Sequence, residues 1–150
     1  MPIRLAHSSD FIKVHALIQE LARFENAPQE VVSTPKTLEE ACSKKDPLAW
    51  CWVAESDNDN SEIVGAGICY VRYSTWKGPV FYLEDLIVSE KYRRQGWGSK
   101  ILDSIIQFAH SNGYKRLQWQ VLDWNEGAIE FYKNYNAQFD AEWVNVHVEL

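Results

Sequence analysis

Val80-Phe81-Tyr82-Leu83-Glu84-Asp85-Leu86-Ile87-Val88, followed after a short gap by Arg93-Arg94-Gln95-Gly96-Trp97-Gly98, decides how this chain is read. The first run is β-branched and aromatic, follows the Lys77-Gly78-Pro79 turn, and is apolar except for two adjacent carboxylates at its centre. It predicts a strand, and two carboxylates inside a strand need a reason. The second stretch sets glycines between that strand and a helix that turns Ile101, Leu102, Ile105 and Ala109 inward and stops at Asn112-Gly113. Glycine there lets the backbone approach a ligand, and the unpaired N–H groups of a helix start, with Arg93 and Arg94 nearby, suit a pyrophosphate. An ordinary strand-helix turn containing glycine has the same pattern, because short glycine motifs are weakly specific. A dinucleotide site fits less well, since the spacing is not G-x-G-x-x-G and the first half of the chain is not a βαβ unit.

Outward from this centre, Ile3-Arg4-Leu5 predicts a first strand, and Ser8, Ser9 and Asp10 offer N-cap oxygens to a helix with Val14, Leu17, Ile18, Leu21 and Ala22 on one face. Thr34-Pro35 opens a second helix and Pro47 closes it. Trp50 to Glu55 and Ile63 to Tyr73 predict a β-hairpin around the turn Ser56-Asp57-Asn58-Asp59-Asn60-Ser61. Leu117 to Leu122 predicts another strand, Asn125 caps a helix carrying Ala128, Ile129, Tyr132 and Tyr135, and Trp143 to Val148 predicts a closing strand. The order implies an α/β mixed sheet with helices on both faces, in one domain spanning residues 1–150.

The bulk numbers narrow the function. Fifteen basic against 21 acidic residues, a net charge of −6, argue against a dedicated nucleic-acid binder and suit either a cationic substrate or plain solubility. Three cysteines and four scattered histidines form no metal or disulfide pattern. The start Met1-Pro2-Ile3-Arg4-Leu5 lacks a signal-peptide pattern, and no run approaches the roughly 20 apolar residues of a membrane span. The expectation is a cytoplasmic protein without a metal, a nucleic-acid partner or a membrane.

Three motifs in order carry a resemblance: Tyr82-Leu83-Glu84-Asp85-Leu86-Ile87-Val88, then Tyr92-Arg93-Arg94-Gln95-Gly96-Trp97-Gly98-Ser99, then Trp124-Asn125-Glu126-Gly127-Ala128-Ile129-Glu130-Phe131-Tyr132-Lys133. Together the chain resembles the GNAT superfamily of N-acetyltransferases, and within it the diamine group of spermidine/spermine and thialysine acetyltransferases. The similarity runs from about residue 3 to about residue 143 and includes Leu21-Ala22-Arg23-Phe24-Glu25 and Tyr73-Ser74-Thr75-Trp76-Lys77-Gly78. The resemblance implies a mostly antiparallel sheet splayed between strands 4 and 5, with acetyl-CoA in the gap, and a homodimer. Backbone groups of Leu86, Ile87 and Val88 would hold the pantetheine and thioester. Arg93, Arg94, Gln95, Gly96, Trp97, Gly98 and Ser99 would line the pyrophosphate, and Asn125 and Tyr132 the region near the sulfur.

The implied reaction is transfer of acetyl from acetyl-CoA to a primary amine of a small cationic substrate. An amine with a pKa near that of lysine, about 10.4, is free base at about one part in a thousand at pH 7, which costs about 4 to 5 kcal/mol. A proton acceptor is therefore required. The resemblance assigns that role to Glu84, acting through water, with Asp85 steadying the ammonium or sharing the task. A strand N–H aimed at the thioester oxygen contributes about 3 kcal/mol by analogy with other oxyanion sites. Tyr132 falls where the family has its general acid, since a phenol of reference pKa about 10 is reliably protonated and can donate to a leaving thiolate. Phe24, Glu25, Trp76, Glu84, Asp85, Glu142 and Trp143 would form an aromatic and acidic wall for a cation.

Departures from the family pattern narrow the acceptor. Ser74 stands where the spermidine-preferring branch has aspartate, and with Val121-Leu122-Asp123-Trp124-Asn125 it draws the chain toward the thialysine branch. Asn136 replaces a glycine and tolerates positive φ. Trp97 is bulkier than the aliphatic residue usual in the glycine turn. Two other readings stay open: an acyl-CoA sensor without turnover, and an acetyltransferase for a protein N-terminus or an antibiotic amine.

Overall fold

A computed structural model describes residues 2–58 and 60–150; Met1, and Asp59 inside the predicted turn, lie outside the described residues. The elements are β1 (Ile3–Leu5), α1 (Phe11–Phe24), α2 (Pro35–Cys42), β2 (Trp50–Glu55), β3 (Ile63–Ser74), β4 (Gly78–Val88), α3 (Trp97–Ser111), β5 (Leu117–Gln118) and α4 (Glu126–Lys133). The sheet order is β1-β2-β3-β4-β5, antiparallel throughout except for the parallel pair β4 and β5. This is the mixed α/β sheet expected from the sequence. Two compact units divide the chain, one ending at Trp119 and containing the sheet, the other being Gln120–Leu150 with α4.

The first unit buries both faces of its sheet. Phe11, Val14 and Leu17 of α1 pack with Cys51, Val53, Ala66, Ile68 and Ile87. On the opposite face α3 approaches β3 so closely that a Cβ on Gly67 would meet Ile105 Cδ1 at 2.6 Å and Ile101 Cγ2 at 2.8 Å. Glycine is therefore required there by space. Phe81, fully buried, sits among Trp52, Phe108 and Tyr114 with ring centroids 6.0, 5.5 and 5.0 Å away. Its backbone N–H donates to the Arg116 carbonyl at 3.0 Å, so this aromatic cluster stands where β5 joins β4.

Local signals behaved as their chemistry dictates in most places. Thr34 Oγ1 accepts from Thr37 N at 3.2 Å with Pro35 as the first residue of α2. Gly113 takes φ 79° after the end of α3, and Asn136 takes φ 53° after α4. At α1 the expected cap differs: Ser8–Asp10 form a 3-10 turn, and the Asp10 carboxylate bonds back to His7 N at 2.7 Å and pairs with Arg4 at 2.7 Å. The cation and the backbone donor outcompete the helix start for its oxygens.

Two strand expectations need correction. Leu117 to Leu122 yields a strand only at Leu117–Gln118. Trp143 to Val148 forms no strand among the described residues, and Val144, Val146 and Val148 are each at least 79% exposed. An alternating apolar pattern becomes a strand only against a neighbouring ladder, and here the segment is tied back by a side-chain bond, Gln120 Nε2 to Asn145 Oδ1 at 2.7 Å. No helix among the described residues is long and apolar enough to cross a membrane.

Candidate active site

The two carboxylates of β4 sit at a defect in the ladder. Leu83 pairs with Cys69 and Asp85 pairs with Ile68, so Glu84 is an extra residue without a partner across β3. Such a bulge turns neighbouring side chains away from strict alternation. Glu84 is consequently exposed, whereas Asp85 is half-buried and belongs to the row with Ile87 that faces α1. Burial, then the negative charges of Glu84 and Glu25, push the Asp85 carboxyl up to about 6. Partial desolvation also raises the Glu25 carboxyl above its usual value. The structure thus gathers Glu25, Glu84 and Asp85, and burial beside like charges brings Asp85 toward neutrality.

Beyond the bulge, β4 loses its neighbour. β5 pairs with β4 only at Phe81 and Tyr82, leaving the edge from Leu83 to Val88 without a strand partner among the described residues. Ser89 N donates to Val64 O at 2.9 Å, so by the alternation of an antiparallel ladder Leu86 and Val88 turn their N–H and C=O groups to the open edge. This is the splay expected between strands 4 and 5. Ile87 faces the α1 core and is buried.

The glycine turn follows directly. Arg94 and Gly96 both adopt left-handed backbone, φ 62° and 84°, and a Cβ on Gly96 would meet nothing within 4 Å. The turn therefore opens to its surroundings at the start of the 15-residue helix α3, a geometry that fits a phosphate group. Gln95 Nε2 donates to Lys91 O at 3.2 Å. Gly98 and Ser99 lie in the first turn of α3, while Trp97, its first residue, is 4% exposed with an indole N–H that has no partner. The Trp97 ring is thus buried, while its backbone belongs to the start of α3. The Arg93 guanidinium lies over the Phe24 ring at 5.3 Å and its Nε donates to Val88 O at 3.1 Å, which links the turn to the end of α1.

Other expected residues are placed less tightly. Trp76 is 91% exposed at the β3–β4 turn, and the strand rise from Gly78 to Glu84 puts it about 20 Å along the strand from the carboxylates. In the second unit, Asn125 Oδ1 accepts from Ala128 N at 3.2 Å and caps α4, and Tyr132 is buried with its ring 5.3 Å from that of Phe131. Glu142 and Trp143 lie exposed in the segment after α4. The bulge at Glu84 escaped the sequence reading, although an acidic pair in an otherwise apolar strand was its visible signal.

Residues 14–136 match the model of the acetyltransferase (GNAT) family. The chain belongs to the GNAT acetyltransferase family. It is 38% identical over 141 residues to thialysine N-epsilon-acetyltransferase of Bos taurus, covering 91% of this chain and 83% of that protein. It is 30% identical over 139 residues to spermidine/spermine N(1)-acetyltransferase-like protein 1 of Homo sapiens, covering 90% of this chain and 20% of the longer relative. A crystal structure of a probable acetyltransferase superposes with a TM-score of 0.80 at 22% identity, covering 100% of this chain and 98% of the other, which establishes the fold. This GNAT chain is accordingly an N-acetyltransferase.

Proposed function

We propose that this acetyltransferase moves the acetyl group of acetyl-CoA to the primary amine of a small cationic substrate, a thialysine- or lysine-like amine or a diamine. The observation that carries the reading is the open edge of β4, which bears two carboxylates at a bulge and runs into a turn with left-handed residues at Arg94 and Gly96. The similarity to thialysine acetyltransferase favours the lysine-like end of that range. Residues Arg94 to Ser99 hold the pyrophosphate, with Arg93 buttressing them. Leu86 and Val88 offer N–H groups to the pantetheine and thioester oxygen, in line with Ile87. Glu25, Glu84 and Asp85, with Phe24, favour a cation. Glu84 reaches the amine through water, and Asp85 supplies the near-neutral proton affinity. Tyr132 returns a proton to the thiolate, and Asn125 lies near the sulfur. A thioester is already activated, so the chemistry needs no metal.

A homodimer in the cytoplasm completes the proposal. Trp76 and the Glu142-Trp143 segment then join the substrate wall; at about 20 Å along the strand from Glu84, Trp76 serves it only from a partner protomer. The acceptor class is tested by incubating the enzyme with acetyl-CoA and thialysine, lysine, ornithine, spermidine, an aminoglycoside and a peptide N-terminus, with mass spectrometry of the products. Thialysine and lysine-like amines should lead. Acetylation of the peptide or aminoglycoside alone would replace the reading, and coenzyme binding without thiol release would make the chain a sensor.

Asp85 gives the proposal a pH signature. The rate should rise as pH climbs through about 6, and Asp85→Asn should erase that limb, whereas Glu84→Gln should lower the rate and, by removing a neighbouring negative charge, shift the limb to lower pH without erasing it. An Asp85→Asn profile identical to wild type removes Asp85 from proton acceptance. Stability changes the opposite way. The folded carboxyl holds its proton up to about 6 and the unfolded one only to its ordinary value of 3.8, so stability falls as pH rises between them. Asp85→Asn should therefore stabilise by about 2 kcal/mol at pH 8, allowing for partial exposure, and by nothing at pH 3.

A further inference from the structure

We infer that Glu62 and Glu20, both outside the proposed catalytic and binding machinery, are positioning residues that hold the coenzyme turn in its binding conformation before the ligand arrives. The inference rests on the assignment of Arg94 to Ser99 to the pyrophosphate. Arg94 is a non-glycine residue at φ 62°, a conformation that persists only where surrounding contacts over-determine it. Those contacts lie on the 3-10 turn Glu90–Tyr92 just before it. Glu62 Oε2 accepts from Tyr92 Oη at 2.8 Å and from Lys91 Nζ at 3.2 Å, and Glu62 Oε1 is 3.4 Å from Lys13 Nζ. Glu20 Oε1, on α1, accepts from Glu90 N at 2.7 Å, a bond that spans 70 residues of chain.

Two carboxylates beside a pyrophosphate turn lower anion affinity by charge alone. Here each is committed to donors of the turn itself: a phenol and an ammonium for Glu62, an otherwise unpaired backbone N–H for Glu20. Lys91 and Lys13 further neutralise Glu62. The Glu62 brace comes from the residue that leads into β3 and the Glu20 brace from α1, so the turn is fixed from two separate parts of the fold. The gain is preorganisation: the N–H groups that meet the phosphate need no reordering on binding. Glu62 and Glu20 act through the turn and touch no ligand.

The test compares wild type with Glu62→Ala, Tyr92→Phe and Glu62→Gln, using the best acceptor of the amine panel and two donors. One donor is acetyl-CoA; the other is S-acetylpantetheine, which ends before the pyrophosphate. Glu62→Ala and Tyr92→Phe should raise KM for acetyl-CoA about three- to ten-fold with kcat nearly unchanged, and leave kcat/KM for S-acetylpantetheine as in wild type. Glu62→Gln keeps an oxygen for Tyr92 and should recover most of the loss. An unchanged KM for acetyl-CoA in Glu62→Ala, or an equal loss with both donors, overturns the inference while the coenzyme site stands. A wild type that prefers neither donor removes the pyrophosphate from this turn, and the inference falls with it.

Discussion

Tyr132→Phe should lower kcat by about 10²- to 10³-fold while leaving affinity for acetyl-CoA within about two-fold, the range for loss of a positioned general acid. The substitution isolates the hydroxyl. Phenylalanine keeps the ring that lies 5.3 Å from Phe131, and Asn125 still caps the helix through Ala128 N, so α4 should hold its form. Without the phenol the thiolate must leave unprotonated or find a water. Single-turnover rates with saturating amine read the chemical step directly. A single-turnover rate equal to wild type would take the acid role from Tyr132 and reduce it to a packing residue of its helix.

Phe81→Ala should cost about 3 to 5 kcal/mol in chemical denaturation, the largest stability loss expected of a single change. Phe81 is completely buried, its ring meets Trp50, Trp52, Phe108 and Tyr114, and its backbone marks the start of the β4–β5 pairing. Truncation leaves a cavity under the parallel strand, and the aromatic contacts on its four sides cannot all collapse into it. Phe81→Leu retains most of the volume and should cost less than half as much. A loss below about 1 kcal/mol in Phe81→Ala would mean that β5 is held by other contacts.

The sheet was legible because its strands bury the period-two and apolar runs that a pattern can show. Trp50–Glu55 and Ile63–Ser74 form the hairpin that turn composition predicted, and Gly113 and Asn136 take the left-handed conformations their chemistry allows. The glycine turn was legible as a motif, though not its left-handed Arg94 or the bonds from Glu62 to Tyr92 and from Glu20 to Glu90 just before it, whose partners lie far apart in sequence. The carboxylate pair was legible in composition and not in exposure. Only the bulge separates an exposed Glu84 from an Asp85 turned toward α1, and a bulge is set by the register with β3. The pattern at Trp143 to Val148 misled because alternation records a capacity to pair, while a strand requires a partner in place.

The site on the open half of β4 is tested most directly by a crystal structure of the enzyme with coenzyme A. The account predicts the pyrophosphate on the N–H groups between Arg94 and Ser99, and the pantetheine amides bonded to Leu86 and Val88, with the sulfur directed toward Glu84 and Asp85. A coenzyme bound on another surface, with the edge of β4 from Leu83 to Val88 untouched, would contradict it.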